Sequence, residues 1–280
     1  MKKMINIDDF STNKKVDNKL FALILGIRGA GKSSVIGTLN TKTILISSSL
    51  ESHGIQAAQA LASSESIYSI LYDIDSTTNK QLKADEALIN LHNILDFLLT
   101  SEDIKNQIGA IALDSFSAVD KTLLATTRIA SETNNWAAGD IMEIEHLNII
   151  RKLKELHRKG FHILATMPII SLYDENGFYT EARQDIRGVR TASTICGIFP
   201  EILPILRYEN QHIFQMDLTI KKSSKDVKKG TERATISNPR ITGLTYQDLS
   251  SISEDLVLPA DLSYIYKLKK TKLEGAINND

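Results

Sequence analysis

Apolar residues are arranged along this chain in two alternating forms. Short unbroken runs of strand length end at a glycine or a polar residue, and longer stretches carry apolar residues at helical spacing. Residues 20–25 (Leu-Phe-Ala-Leu-Ile-Leu) form the first run and stop at Gly26. Such a run predicts a strand buried on both faces. Residues 42–48 and 108–113 repeat the pattern, the latter ending at Asp114, and residues 161–167 form a fourth run. Between them, residues 84–99 place Leu88, Leu91, Leu95, Leu98 and Leu99 at helical spacing. Residues 140–159 do the same with Ile141, Ile144, Leu147, Ile149 or Ile150, Leu153 and Leu156, and Gly160 follows as a C-terminal cap. Strands alternating with helices predict an α/β fold with a mainly parallel sheet.

All five prolines lie at Pro168 or later, so the first part of the chain can alternate without proline breaks. Residues 171–191 are polar and read as a long loop or hairpin. Residues 211–220 and 231–237 read as two strands of a C-terminal β-hairpin joined by a Lys-rich turn. Three segments result: an N-terminal arm at 1–19, a core with its hairpin at 20–240, and a C-terminal extension at 241–280. The end of that extension, rich in lysine after Pro259, reads as a frayed tail.

Composition narrows the field only modestly. The chain has 280 residues, 42% hydrophobic and 24% charged, which excludes a disordered or collagen-like protein. A net charge of −1 gives no global support for a nucleic-acid or membrane-surface role. Cys196 is the single cysteine, so no intrachain disulfide can form. No apolar run approaches the ~20 residues of a membrane span, and the first residues have no long apolar core and carry early acids, unlike a secretory signal, so a cytoplasmic location with no membrane partner is expected.

The chemistry concentrates at Gly26-Ile27-Arg28-Gly29-Ala30-Gly31-Lys32-Ser33, followed by Ser34. This fits the phosphate-binding pattern G-x-x-x-x-G-K-[ST] in full, after a predicted strand and before a plausible helix. Glycines let successive N–H groups turn inward toward phosphate oxygens. Lys32 is placed to reach the β- and γ-phosphates of ATP and Ser33 to complete Mg²⁺ coordination. Asp114, at the end of a strand, is the matching metal-side carboxylate. The residue after it is Ser115 rather than a glutamate, so a general base must come from elsewhere, and Glu51, after the 42–48 strand, is the candidate. Thr166, at the end of the fourth strand, is placed to sense the γ-phosphate. The six histidines show no metal-ligand spacing, and structural or surface roles are expected for His146, His157 and His162.

Gly26 to Ser33, the strand leading to Glu51, Ile111-Ala112-Leu113-Asp114-Ser115 and Ala165-Thr166-Met167 together resemble the RecA-like P-loop ATPases. The Asp-Ser pair is like that of RecA itself. The short layout looks most like phage nucleotide-binding proteins of the RecA-like AAA class, including single-strand-annealing ATPases, and Trp136 and Asp185-Ile186-Arg187-Gly188 fit that look. Where RecA proteins usually carry Gln, this chain has Thr166-Met167. The resemblance implies Mg-dependent ATP hydrolysis by a homo-oligomer acting on single-stranded DNA in phage-type recombination or replication.

Two loops are candidates for partner contacts. Tyr173, Phe178, Arg183, Arg187 and Arg190 can stack on and neutralise a single strand, although four carboxylates among residues 171–191 outweigh the three arginines. The same segment reads equally as a kinase lid. In the resemblance, a basic residue of a neighbouring subunit's hairpin reaches the γ-phosphate, which makes Lys228, Lys229 and Arg233 trans-acting candidates. Two alternatives remain: a nucleotide or small-molecule kinase with 171–191 as its lid, and a non-catalytic nucleotide switch controlling assembly.

Overall fold

The computed structural model describes residues 18–63, 66–130, 134–173, 179–187, 189–208, 211–216 and 239–277. The elements follow in the order β1 (Phe21–Gly26), α1 (Lys32–Ile36), β2 (Thr43–Ser47), α2 (Ser52–Leu61), β3 (Ile67–Leu71), α3 (Ala84–Thr100), α4 (Glu102–Gln107), β4 (Ala110–Asp114), α5 (Phe116–Leu124) and α6 (Thr127–Ala130). Then come α7 (Asn135–Arg158), β5 (His162–Tyr173), β6 (Tyr179–Gln184), α8 (Val189–Ile198), β7 (Glu201–Tyr208), β8 (Gln211–Gln215), α9 (Tyr246–Ile252), β9 (Val257–Pro259) and α10 (Leu262–Ile277).

The strands assemble in the order β3-β2-β4-β5-β1-β7-β8-β9, with β6 paired to the outer part of β5. From β3 to β7 every neighbouring pair is parallel. The β5–β6, β7–β8 and β8–β9 pairs are antiparallel. The fold is therefore α/β on a mostly parallel mixed sheet, as the alternating pattern predicts. β1 is buried along its whole length. Phe21, Leu23 and Leu25 join one core with Leu91 and Leu95 of α3, Phe116 of α5 and Ile149 and Leu153 of α7. Ala22 and Ile24 join a second core on the opposite face, with Val35 and Ile36 of α1, Ile55 of α2 and Leu262 and Ile265 of α10. Two covered faces explain why the strand reads as continuously apolar rather than alternating.

Three elements differ from the sequence expectation. The buried stripe of α7 runs through Ala138, Met142, His146, Ile149, Ile150, Leu153 and Leu156, while Ile144 is 53% exposed. A polar His146 occupies a core position, so a purely apolar reading slips to the neighbouring face. β5 is longer than the 161–167 run, because its outer half leaves the parallel sheet and pairs with β6. The Lys-rich end of the chain forms α10, which carries Lys269 into the interior, 2% exposed. Gly160 does follow α7 with φ 98°, as expected of a helix stop. The expected hairpin's first strand is seen as β8, but residues 217–238, and with them the second strand, lie outside the described residues. No described helix is long and apolar enough to cross a membrane.

The strand order has one consequence for chemistry. β5 lies between β1 and β4, and the register sets Ile24 beside Thr166, Gly26 beside Pro168 and Ser47 beside Asp114. The C-terminal ends of β1, β2, β4 and β5 thus converge on one edge. Crevices at such strand ends are where open α/β sheets present their functional groups.

Candidate functional site

The loop after β1 turns sharply back on itself. The Ala30 N–H donates to the Ile27 carbonyl at 3.2 Å and the Val35 N–H to the Gly31 carbonyl at 3.0 Å, which starts α1. Gly31 sits at φ 93°, a conformation L side chains rarely adopt, and a Cβ there would also strike the ring of His212, 2.7 Å from Nδ1. Ile27, Arg28 and Gly29 are exposed, Ala30 is buried, and Lys32, Ser33 and Ser34 are half-buried. The Lys32 ammonium folds over the loop and donates to the Ile27 carbonyl at 2.9 Å. Burial lowers its pKa, while the carboxylates of Asp114, Glu51 and Asp185 oppose that shift.

The floor of the site is a hydroxyl–carboxylate–hydroxyl cluster. Ser33 Oγ donates to Asp114 Oδ2 at 2.6 Å. Thr166 Oγ1 donates to Asp114 Oδ1. Asp114 is 3% exposed, and the Ser47 hydroxyl donates to its carbonyl at 2.8 Å, fixing the main chain as well. The helix α2 closes the cluster from above by presenting a glycine. A Cβ on Gly54 would lie 2.5 Å from Asp114 Oδ2 and 2.8 Å from Ser33 Oγ, so no other residue fits without displacing the pair.

Glu51 completes the group. It ends a single 3₁₀ turn, Ser49–Glu51, between β2 and α2. That turn is pinned by Asp73, beyond the end of β3, which accepts from the Ser48 and Ser49 hydroxyls at 2.7 Å each and from the Ser49 N–H at 2.8 Å. Burial raises the Glu51 pKa above the usual carboxylate value; a hydrogen bond from Ser115 opposes this and the charge of Asp114 adds to it. A carboxylate with a raised pKa beside a buried aspartate and a lysine has the character of a proton acceptor.

The structure therefore brings together Lys32, Ser33, Glu51, Asp114 and Thr166, which the sequence proposed from four separate strand ends. It also adds residues that motif spacing could not supply. Asp73 pins the turn that carries Glu51, Ser115 lies near Glu51, Asp185 adds a carboxylate near Lys32, and His212 packs on the loop. The Asp185 N–H donates to the Pro168 carbonyl at 2.8 Å. The Arg187 N–H donates to Asp120 Oδ2 at 3.1 Å, and Asp120 Oδ1 lies 3.1 Å from Nε2 of the buried His146. The segment after β6 is thereby tied to α5, the helix that follows Asp114 and Ser115. Only the signal of a polar residue in the α7 stripe could have flagged this network.

The partner-contact candidates are less defined. Arg187 is exposed. Phe178, Lys228, Lys229 and Arg233 lie outside the described residues, as do the side chains of Tyr173, Arg183 and Arg190. Trp136 lies in the first turn of α7 and is 86% exposed.

One hydroxyl and one carboxylate oxygen suit a hard cation such as Mg²⁺, which takes few protein ligands and completes its shell with water and phosphate. Among the described residues no group of three or more His, Cys, Asp or Glu side chains is placed to hold a metal ion. No protein-family model matches this sequence, and no curated protein matches it.

Proposed function

We propose that the chain is a Mg-dependent, RecA-like P-loop ATPase that works as a homo-oligomer on single-stranded DNA in phage-type recombination or replication, inside the cytoplasm. The observation that carries the ATPase reading is the Ser33–Asp114–Thr166 cluster, set beside a complete phosphate-binding loop with Glu51 next to it. The DNA part is supported by the resemblance of the motif set.

In this reading the N–H groups of residues 29–33 and the Lys32 ammonium bind the β- and γ-phosphates, and Lys32 exchanges its bond to the Ile27 carbonyl for phosphate oxygens. Ser33 and Asp114 would hold Mg²⁺, which supplies Lewis-acid stabilisation of phosphate charge when bound. Glu51 orients a water molecule and accepts its proton. The water oxygen bonds to the γ-phosphorus as the bond to the β–γ bridging oxygen breaks, giving ADP and phosphate. Lys32 and Thr166 stabilise the equatorial oxygens of the transferring group, where charge is spread in the transition state.

A second reading, a kinase, is favoured by one observation. The post-β6 segment reaches the site through Asp185 and is anchored to α5 through Asp120, as a lid over a phosphate acceptor would be. Phosphate release from ATP by the purified protein, with and without single-stranded DNA and beside Lys32→Ala, separates the two. Release that DNA stimulates and the variant loses is the expected result. ATP consumed only when an acceptor is added would replace the ATPase by the kinase.

A further inference from the structure

The side of the phosphate loop turned away from Asp114 carries a feature that the motif does not include. β8 brings His212 onto Gly31, where an added Cβ would lie 2.7 Å from Nδ1, 2.9 Å from Cε1 and 3.0 Å from Cγ. Three consecutive ring atoms at nearly one distance mean that the imidazole meets the loop with its face. An edge-on ring would hold one atom close and its two neighbours distinctly farther away. The residue as a whole is exposed, so the ring stays accessible to a ligand. Its main-chain carbonyl accepts from the Ala260 N–H at 3.4 Å.

The neighbouring strand supplies a cation to the same place. Arg207 of β7 is the cross-strand partner of His212. Two residues further into the hairpin, Ile205 and Phe214 also face each other, and both are buried in the core that contains Val35 and Ile36 of α1. Side chains alternate along a strand, so Arg207 and His212 emerge on the α1 face, beside the phosphate loop.

Direction along the sheet decides what this pair meets. β5 and β4, with Thr166 and Asp114, lie on one side of β1, and β7 and β8 lie on the other. A triphosphate whose terminal phosphate points to Ser33 and Asp114 directs its nucleoside toward β7 and β8. We propose that His212 is a platform on which the nucleobase stacks, with Arg207 flanking the α-phosphate end. This rests on the nucleotide site proposed above. An aromatic face against a base typically contributes enough for about a tenfold change in affinity when removed.

The experiment compares binding of ATP and of inorganic tripolyphosphate, both with Mg²⁺, by the wild-type chain, His212→Ala and His212→Phe. Thermal melts establish that the variants, altered at an exposed position, remain folded. His212→Ala is expected to bind ATP about tenfold more weakly and tripolyphosphate as before, because only ATP carries a base. His212→Phe, which keeps a flat ring, is expected to retain most of the ATP affinity. An unchanged or tighter ATP affinity in His212→Ala, an equal loss for both ligands, or a loss in His212→Phe as large as in His212→Ala would overturn the platform. Failure of the wild-type chain to bind either ligand would instead refute the nucleotide site itself.

Discussion

Two buried carboxylates sit at opposite ends of the parallel strands, and their surroundings differ in kind. Glu201 opens β7 and is fully buried. Its Oε1 lies 2.8 Å from the Lys269 ammonium of α10, and its Oε2 accepts from the Phe21 N–H at 2.8 Å. The same ammonium donates to the Lys19 carbonyl at 2.5 Å. Here the protein supplies the countercharge itself and closes the site. Asp114 ends β4 and is nearly as buried, yet among the described residues it has no ion-pair partner. Its oxygens accept from the neutral hydroxyls of Ser33 and Thr166. A buried carboxylate is costly unless its charge is compensated, and here the nearby cation, Lys32, is bonded to the Ile27 carbonyl rather than to Asp114, which in the proposed reading leaves room for a cation from outside. In the proposed reading, one end serves stability and the other a ligand.

The sharpest way to separate the two ends is to change each and read both turnover and stability. Glu51→Gln at the Asp114 end should lower ATP turnover by about 10²–10⁴-fold, the usual contribution of a positioned base, while ATP binding and the melting curve stay close to wild type. Unchanged turnover would remove Glu51 from the mechanism. Glu201→Gln should have the opposite signature. It leaves the Lys269 charge buried without a partner, at a cost of about 3–5 kcal/mol in urea unfolding, with turnover per folded molecule preserved. A loss below about 1 kcal/mol would mean the pair is solvated rather than buried.

Gly54→Ala probes the close approach of α2. A methyl group aimed at Asp114 Oδ2 and Ser33 Oγ forces a shift costing about 1–3 kcal/mol, and Mg·ATP affinity should fall with it. Equal stability with unaltered nucleotide binding would show that the helix relaxes freely. A further effect belongs to the structural end and depends on pH. Burial, with added repulsion from Lys19, His157 and Lys269, depresses the His162 pKa to about 3. The folded state thus keeps His162 neutral, while the unfolded chain protonates it below its ordinary pKa of about 6.5. The unfolded state binds the extra proton, so stability is full above that value and declines by about 1.4 kcal/mol per pH unit as pH falls toward the folded pKa. His162→Gln should flatten this slope, and an unaltered slope would assign acid sensitivity to other groups.

The two ends were not equally legible in the sequence. The Asp114 end was, because its groups terminate apolar runs. Once four runs are read as parallel strands, Gly26, the residues after Ser47, Asp114 and Thr166 must meet at one edge, and the glycine-lysine loop names the chemistry. What escaped there are residues whose role depends on packing between elements distant in sequence. Asp73 pins the Glu51 turn from the end of β3, and His212 reaches Gly31 from an edge hairpin. The Glu201 end was not legible at all. Lys269 stands among Lys267, Lys270 and Lys272, and a lysine-rich stretch after proline looks like a solvated tail. Its burial follows only from the position of Glu201, to which no local pattern points. His146 misled for a related reason, since a histidine within an apolar stripe is visible as core only when Asp120 is seen opposite it.

The most direct test of the account is a titration of ATP affinity against Mg²⁺ concentration for the wild-type chain and Asp114→Asn. The account predicts that wild-type affinity rises with Mg²⁺ and that the variant, still folded, loses most of this dependence. Equal Mg²⁺ dependence in both proteins would contradict the assignment of Asp114 as the carboxylate that waits for a metal-bound nucleotide.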